Sequence, residues 1–335
     1  MRFCRSTGAT VARCSLWAAT LSLVCFATLV LAHPTSAGCF AQQYKVVAVP
    51  IQPRAINDLG QVAGTTANHR AALWSAQAGL HELALPAGFS SSEAVAINND
   101  GHVAVIAYDR TFSKHQAFIF ENGVLKLLMG QQTRAFHIDE SDRVAGDSLL
   151  PGAQRTEPVL WIHHAMRSLG SCCGGSTKSV NQNGEAIGDA YDDQGRYYAF
   201  LWTAARGMQR IGPADRFSSA VAINARGHVV IQVFPGVLFY SDGSLTPLDM
   251  SPKFPSQPRA INDCDVIVGA FGPFSDADRA FVWSKSIGFQ DLNERIPADS
   301  DWKLESAVAI NNRGEIVGKG DWKRQDDSGF LLIPE

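Results

Sequence analysis

The sequence predicts an all-β fold, a seven-bladed β-propeller of four-stranded blades, and three observations carry that expectation. The first is a repeat. Ala55-Ile56-Asn57 returns as Ala96-Ile97-Asn98, His137-Ile138-Asp139, Ser179-Val180-Asn181, Ala222-Ile223-Asn224, Ala260-Ile261-Asn262 and Ala309-Ile310-Asn311, each followed by a turn and, in most copies, Val/Ile-x-Gly. The Asn/Asp anchors are 41, 41, 42, 43, 38 and 49 residues apart, and a strand-rich repeat of about 42 residues marks a propeller. The second is the punctuation within a copy, where apolar runs of four or five residues alternate with Gly, Asn and Asp and leave no room for helices. The third concerns the ends. The last copy stops at its third strand, 330–333, and an unmatched strand, 44–49, precedes the first copy. Set beside the last blade, that N-terminal strand completes it and closes the ring.

The fourth copy shows the unit. Residues 178–181 read as a first strand, 182–184 as a tight turn, 185–188 as a second strand and 189–198 as a polar connection. Residues 199–202 form a third strand, 203–207 a turn and 208–211 a fourth strand. The third strand is apolar at every position, as in Ala117-Phe118-Ile119-Phe120 and Ala280-Phe281-Val282-Trp283. A strand with one wet face would alternate, so both faces must be covered, as when blades stack around an axis. The aromatics ending this strand, Trp74, Phe120, Trp161, Trp202, Tyr240 and Trp283, are expected to pack between blades. The recurrent Asn is expected to bond its own turn two residues on, with a Gly three residues later supplying positive φ. Copies three and six depart from this, with Asp142 and Asp265 in place of that Gly.

The N-terminus reads as an export signal over residues 1–37. Arg2, Arg5 and Arg13 precede an almost wholly apolar stretch, 15–32, and small residues follow. The remaining 38–335 is one repeat domain. Removal of the leader takes away three Arg and no acid, moving the formal charge from −3 to −6. Charges of both signs are scattered, and without a basic stripe nucleic acid is excluded as a partner. No further segment is apolar enough to span a membrane, and the mature chain is expected to be a monomer. Four cysteines stay with the mature chain: Cys39, Cys172, Cys173 and Cys264. Cys264 lies in a first–second turn, and Cys172 and Cys173 in a fourth–first connection on the opposite face. The strand following Cys39 starts at the tight face beside blade six. Cys39–Cys264 is thus the one long-range bond that geometry offers, although these thiols are expected to stay unpaired.

The units Ala-Ile-Asn-x-x-Gly-x-Val-x-Gly, Ala-Phe-x-Trp and Gly-Met/Leu-x-x-Leu make the chain similar to the HAF-repeat family of bacterial extracellular proteins. Ala199-Phe200-Leu201-Trp202 and Gly207-Met208 match best, and the resemblance spans nearly all of the mature chain. It implies secretion and a propeller-like fold. It implies no activity and brings no functional residues.

In a four-stranded blade the first–second and third–fourth turns share one face, and here they are short and regular. The second–third and fourth–first connections share the other face and are long and irregular, so binding is expected there. Trp302, in the longest connection, and Trp322, in a second–third loop of the same blade, stand outside the repeat core beside Lys323 and Arg324. Exposed aromatics ringed by polar groups suit a carbohydrate or a peptide, and these four residues are the candidate ligand site. The competing reading makes the two tryptophans a satellite cluster that pins the loop. The loop 189–198 reads as solvated, and Asp276-Ala277-Asp278 as an acidic loop tip. Histidines are scattered. His102 and His228 share one repeat position, and His163-His164 occupies a short turn. No nucleophile elbow, phosphate loop, cofactor motif or metal-ligand spacing is present. The expected function is a binding or surface-interaction module with an extracellular ligand, glycan or protein. The alternatives are a glycosidase or lyase using loop carboxylates, and a purely structural envelope domain.

Overall fold

Apolar runs this short, cut by Asn-x-x-Gly turns, form strands rather than helices. Among the described residues the one short helical element is a 3-10 turn at Leu292–Glu294. The computed structural model describes residues 39–335 apart from 172, 252, 274–277, 324 and the side chains of 325 and 326. The expected leader, Cys172, Asp276 and Arg324 lie outside the described residues.

The strands form seven antiparallel four-stranded sheets, each built from consecutive strands save the last. Blade four consists of Gly175–Val180, Ala186–Tyr191, Tyr197–Thr203 and Gly207–Arg210. Blade seven joins Trp302–Ile310, Ile316–Trp322 and Gln325–Pro334 to the N-terminal strand Tyr44–Val49. The closing register runs from Tyr44 opposite Pro334 to Val49 opposite Gly329, so the ring is sealed as the sequence implied. Tyr44 is wholly buried, and the loss of water around its hydroxyl pushes its pKa up to about 12.

Strands extend further toward the irregular face than their apolar residues suggest. In blade four the connection read as 189–198 shrinks to 192–196. In blade seven Trp322 lies on a strand, and a turn at Lys323 follows it before the paired strand that begins at Gln325. Polar strand ends carry no apolar pattern, and hydrogen bonding alone extends them.

Every blade carries a β-bulge two residues before its Ile-Asn step, at Pro53/Ala55, Ala94/Ala96, Ala135/His137, Thr177/Ser179, Ala220/Ala222, Pro258/Ala260 and Ala307/Ala309. The repeat's Val-x-Gly glycine lies opposite this bulge in five blades, with Val105 and Ile231 at the same place in blades two and five. A Cβ on Gly146, Gly188 or Gly269 would lie 1.9, 2.0 or 2.1 Å from a first-strand carbonyl oxygen. In these blades the first strand approaches too closely for a side chain at this position.

Third strands are sandwiched between neighbouring blades. Trp161, Phe200 and Phe281 are fully buried, and Trp202 and Trp283 nearly so. The turn Asn behaves as expected and also does more. Asn57 Oδ1 accepts from the N–H groups of Leu59 and Gln61 at 3.1 and 2.9 Å, while its amide donates to the carbonyl of Asn98 in the next blade at 2.9 Å. Asn98 reaches Asp139 in the same way, Asn181 reaches Asn224, Asn224 reaches Asn262, Asn262 reaches Asn311, and Asn311 returns to Asn57.

The two departures from the Gly position have a partner. Asp142 and Asp265 adopt φ of 57° and 60°, a region Asp tolerates. Each carboxylate lies 2.8 Å from a histidine Nδ1 of the preceding blade, His102 and His228 respectively.

Cys39 and Cys264 are joined by a disulfide with a Cα–Cα distance of 6.1 Å. The expectation of unpaired thiols is therefore corrected. The hydrogen bond from Tyr44 N–H to Arg295 carbonyl and the burial of Cys39 against Gly314 hold the incoming chain against the tight turn of blade six, within disulfide reach.

Candidate functional site

The irregular face contains a cavity of about 720 Å³ where blades three, four and five meet, lined among others by Arg134, Asp147, Arg155, Asp189, Tyr191 and Tyr197. First-strand starts supply Arg134 and Ser219, second-strand ends supply Asp147, Asp189 and Tyr191, and Tyr197 opens the third strand of blade four. A second groove of about 620 Å³ continues over blades four to six and shares Tyr197 and Ser219.

The floor is a set of mutually neutralised charges. Arg134 grips Asp147 with Nε at 3.1 Å and Nη2 at 2.5 Å. Burial pushes the Asp147 carboxyl up from the ordinary carboxylate range, and the guanidinium opposes that rise. Asp189 ties blade four to blade five. It holds Lys178 Nζ at 2.5 Å, Ser219 Oγ at 3.0 Å and the Ala220 N–H at 2.9 Å. Both carboxylates thus have cationic partners.

The wall is aromatic. Tyr197 stacks on Phe217 with centroids 5.0 Å apart and planes at 13°, Tyr191 meets Tyr197 edge-on, and the Arg155 guanidinium lies 5.2 Å over Tyr191. Phe217 is 53% exposed and Phe234 is 83% exposed, and both line the groove. Beside them a pocket of about 320 Å³ is rimmed by Arg196, Arg210 and Arg216. The loop expected to be merely solvated thus supplies Asp189, Tyr191 and Tyr197 to the cavity between blades three, four and five. The available signal was Tyr191, Tyr197 and Tyr198 in one loop, but Phe217 and Phe234, which complete the surface, lie in other connections.

Trp302 and Trp322 come together as expected, though on strands and not in loops. They are register partners, half-buried and stacked at 5.8 Å with planes at 12°. Trp302 also meets Phe330 edge-on, and Lys323 Nζ lies 4.6 Å over the Trp322 ring. One face of each indole is therefore spent on the other.

No family model matches the chain. No curated protein matches it either. Solved structures do. The chain is similar to the β-propeller domain of the Trilobed protease from Pyrococcus furiosus (TM-score 0.60, 10% identity, 88% of this chain and 95% of that one), which is described as having an open velcro topology. It is also similar to YCF48 bound to D1 peptide (TM-score 0.57, 8% identity, 88% and 97%) and to the WD40 propeller domain of Doa1 (TM-score 0.57, 12% identity, 88% and 97%). At these identities the likeness is one of fold. Unlike the open velcro arrangement, this ring is closed by a strand from the other end of the chain. Among the described residues no helix is long and apolar enough to cross a membrane.

Proposed function

We propose that this chain is an exported binding module of the HAF-repeat type, whose ligand is an extended peptide segment lying across the irregular face of blades three to six. The observation that carries this reading is the aromatic surface of Tyr191, Tyr197, Phe217 and Phe234 bordering two adjoining cavities. Rigid rings flanked by arginines offer stacking area and charge at low entropic cost. The Cys39–Cys264 bond supports export, because disulfides persist in oxidising compartments. Asp147 and Asp189 are both ion-paired, which favours recognition over general acid catalysis. The peptide-bound structure among the similar propellers adds support for the ligand class.

The test is a peptide-library selection beside a glycan array on the mature protein, followed by calorimetry with the best ligand. Tyr197→Ala and Phe217→Ala should each weaken binding about tenfold, as for loss of a 1–2 kcal/mol contact. Unchanged affinity in both would sink this placement. The tryptophan corner remains a second reading, favoured by the stacked pair and the Lys323 ammonium over Trp322. A loss of affinity confined to Trp302→Ala and Trp322→Ala would move the site there.

A further inference from the structure

His102, Glu121, Asp142 and His164 are scattered through the sequence, yet they meet on the regular face at the seam between blades two and three. Ligand atoms of His102, Glu121 and Asp142 all lie within 4.8 Å of one another, and His164 Nε2 lies 3.3 Å from Glu121 Oε1. Glu121 is almost buried and the two imidazoles are partly covered. The Asp142 carboxylate accepts from Asn98 Nδ2 at 2.9 Å and lies 2.8 Å from His102 Nδ1. A carboxylate cannot donate, so Nδ1 carries the proton of neutral His102 and Nε2 keeps its lone pair. A histidine oriented through one nitrogen by a carboxylate, with the other free, is the arrangement that supports metal ligation.

We propose that His102 and Glu121, which the fold gathers with Asp142, together with His164 beside Glu121, form a transition-metal site that clips blade two to blade three, His102 binding through Nε2 and Asp142 holding it in place. Two imidazoles and a carboxylate suit Zn²⁺, with water completing the shell. Lys126 now contacts Glu121. It is half exposed on a flexible stem and can swing out to admit the ion. His164 takes the second position of a two-residue turn at φ 65°, where blade two places Gly123 and blade five Gly243.

The fold contains its own control. His228 and Asp265 repeat the His–Asp pair between blades five and six at 2.8 Å. There Ser241 stands in place of Glu121, and Lys285-Ser286-Ile287 in place of the His163-His164 turn. Arg226 balances Asp265 at 3.0 Å, whereas the corresponding residue in blade two is Asp100. One pair is neutralised by protein, and the other is surrounded by further ligands.

The experiment titrates ZnCl₂ alone into chelator-stripped, untagged mature protein by calorimetry, with melting temperature read in parallel. One equivalent should bind with micromolar or tighter affinity and raise the melting temperature. His164→Asn, whose residue tolerates the same turn conformation, should weaken binding by about 10–100-fold. Lys126→Ala should tighten it by removing the competing cation. His228→Asn should leave it unchanged. Apo-protein melts show that each variant folds. The site is overturned by an absence of stoichiometric binding, by equal binding of Mg²⁺, or by affinity that responds to His228→Asn as strongly as to His164→Asn.

Discussion

The side-chain amide of Asn311 donates to the main-chain carbonyl of Asn57, 2.9 Å away across the point where the ring closes. It is one of six such bonds, and blade three provides the exception. Asp139 has no amide to donate, so Arg143, braced on Asp139 at 2.7 Å, reaches over to the carbonyls of Asn181 and Gln182 at 3.4 and 2.7 Å. A guanidinium held by a carboxylate does here what one carboxamide does elsewhere.

Asn181→Ala should therefore cost about 1–3 kcal/mol, because it strips the N–H groups of Asn183 and Glu185 of their acceptor and takes from the buried Asn224 carbonyl one of its two donors, leaving only the Gly227 N–H. Arg143→Ala should fall in the same range, and denaturant melts of both decide it. A loss below about 0.5 kcal/mol, the level of an ordinary surface change, would make the ring of bonds incidental.

Closure rests on two ties. Deleting 39–50 removes the strand opposite 329–334 and the disulfide together, exposing a long edge that invites aggregation. Cys264→Ser removes only the covalent tie, and should cost about 2–5 kcal/mol while the protein stays monomeric. Light scattering and thermal melts separate the two. A deletion variant as monomeric and stable as the parent would show that strand 44–49 is dispensable.

Trp202 is nearly buried between blades, whereas Trp322 is half-buried at a strand end. Trp202→Ala should cost about 3–5 kcal/mol, and Trp322→Ala about 1–2 kcal/mol through its lost stacking on Trp302. Equal losses would erase the distinction between core and corner indoles.

Stability should fall as pH drops below neutral. Burial lowers the pKa of His137 from 6.5, opposed by Asp139 and by a hydrogen bond with the Val180 backbone. The folded state therefore binds fewer protons than the unfolded chain below pH 6.5, and stability is full above that value and lost as pH falls from it toward the folded pKa. His137→Ala installs the residue that five other copies carry at this position. It should flatten the melting temperature between pH 7.5 and 5.5, an interval of about one unit either side of the ordinary histidine pKa. An unchanged slope would assign the effect elsewhere, with His115, lowered chiefly by burial, as the next group to replace.

Blade number, ring closure and the face split were legible because they depend on periods. Asn57 through Asn311 count the blades, and apolar third strands such as 199–202 announce burial on both sides whatever their neighbours are. The candidate sites were not legible. Tyr197 and Phe217 sit 20 positions apart in different connections, and only the angle between blades four and five stacks them. His102 and His164 looked like unrelated surface residues until two blades set side by side brought them to the same Glu121. The turn Asn showed half of its role, since its bond to its own turn is local and its bond to the next blade is not. The tie between Cys39 and Cys264 was geometrically allowed, yet a sequence cannot say whether two sulfurs within reach will bond. Local hydrogen bonding and hydrophobic period are written along the chain and determined the architecture. Contacts between residues far apart in sequence depend on how seven near-identical sheets are rotated about one axis, and only the tertiary structure decided those.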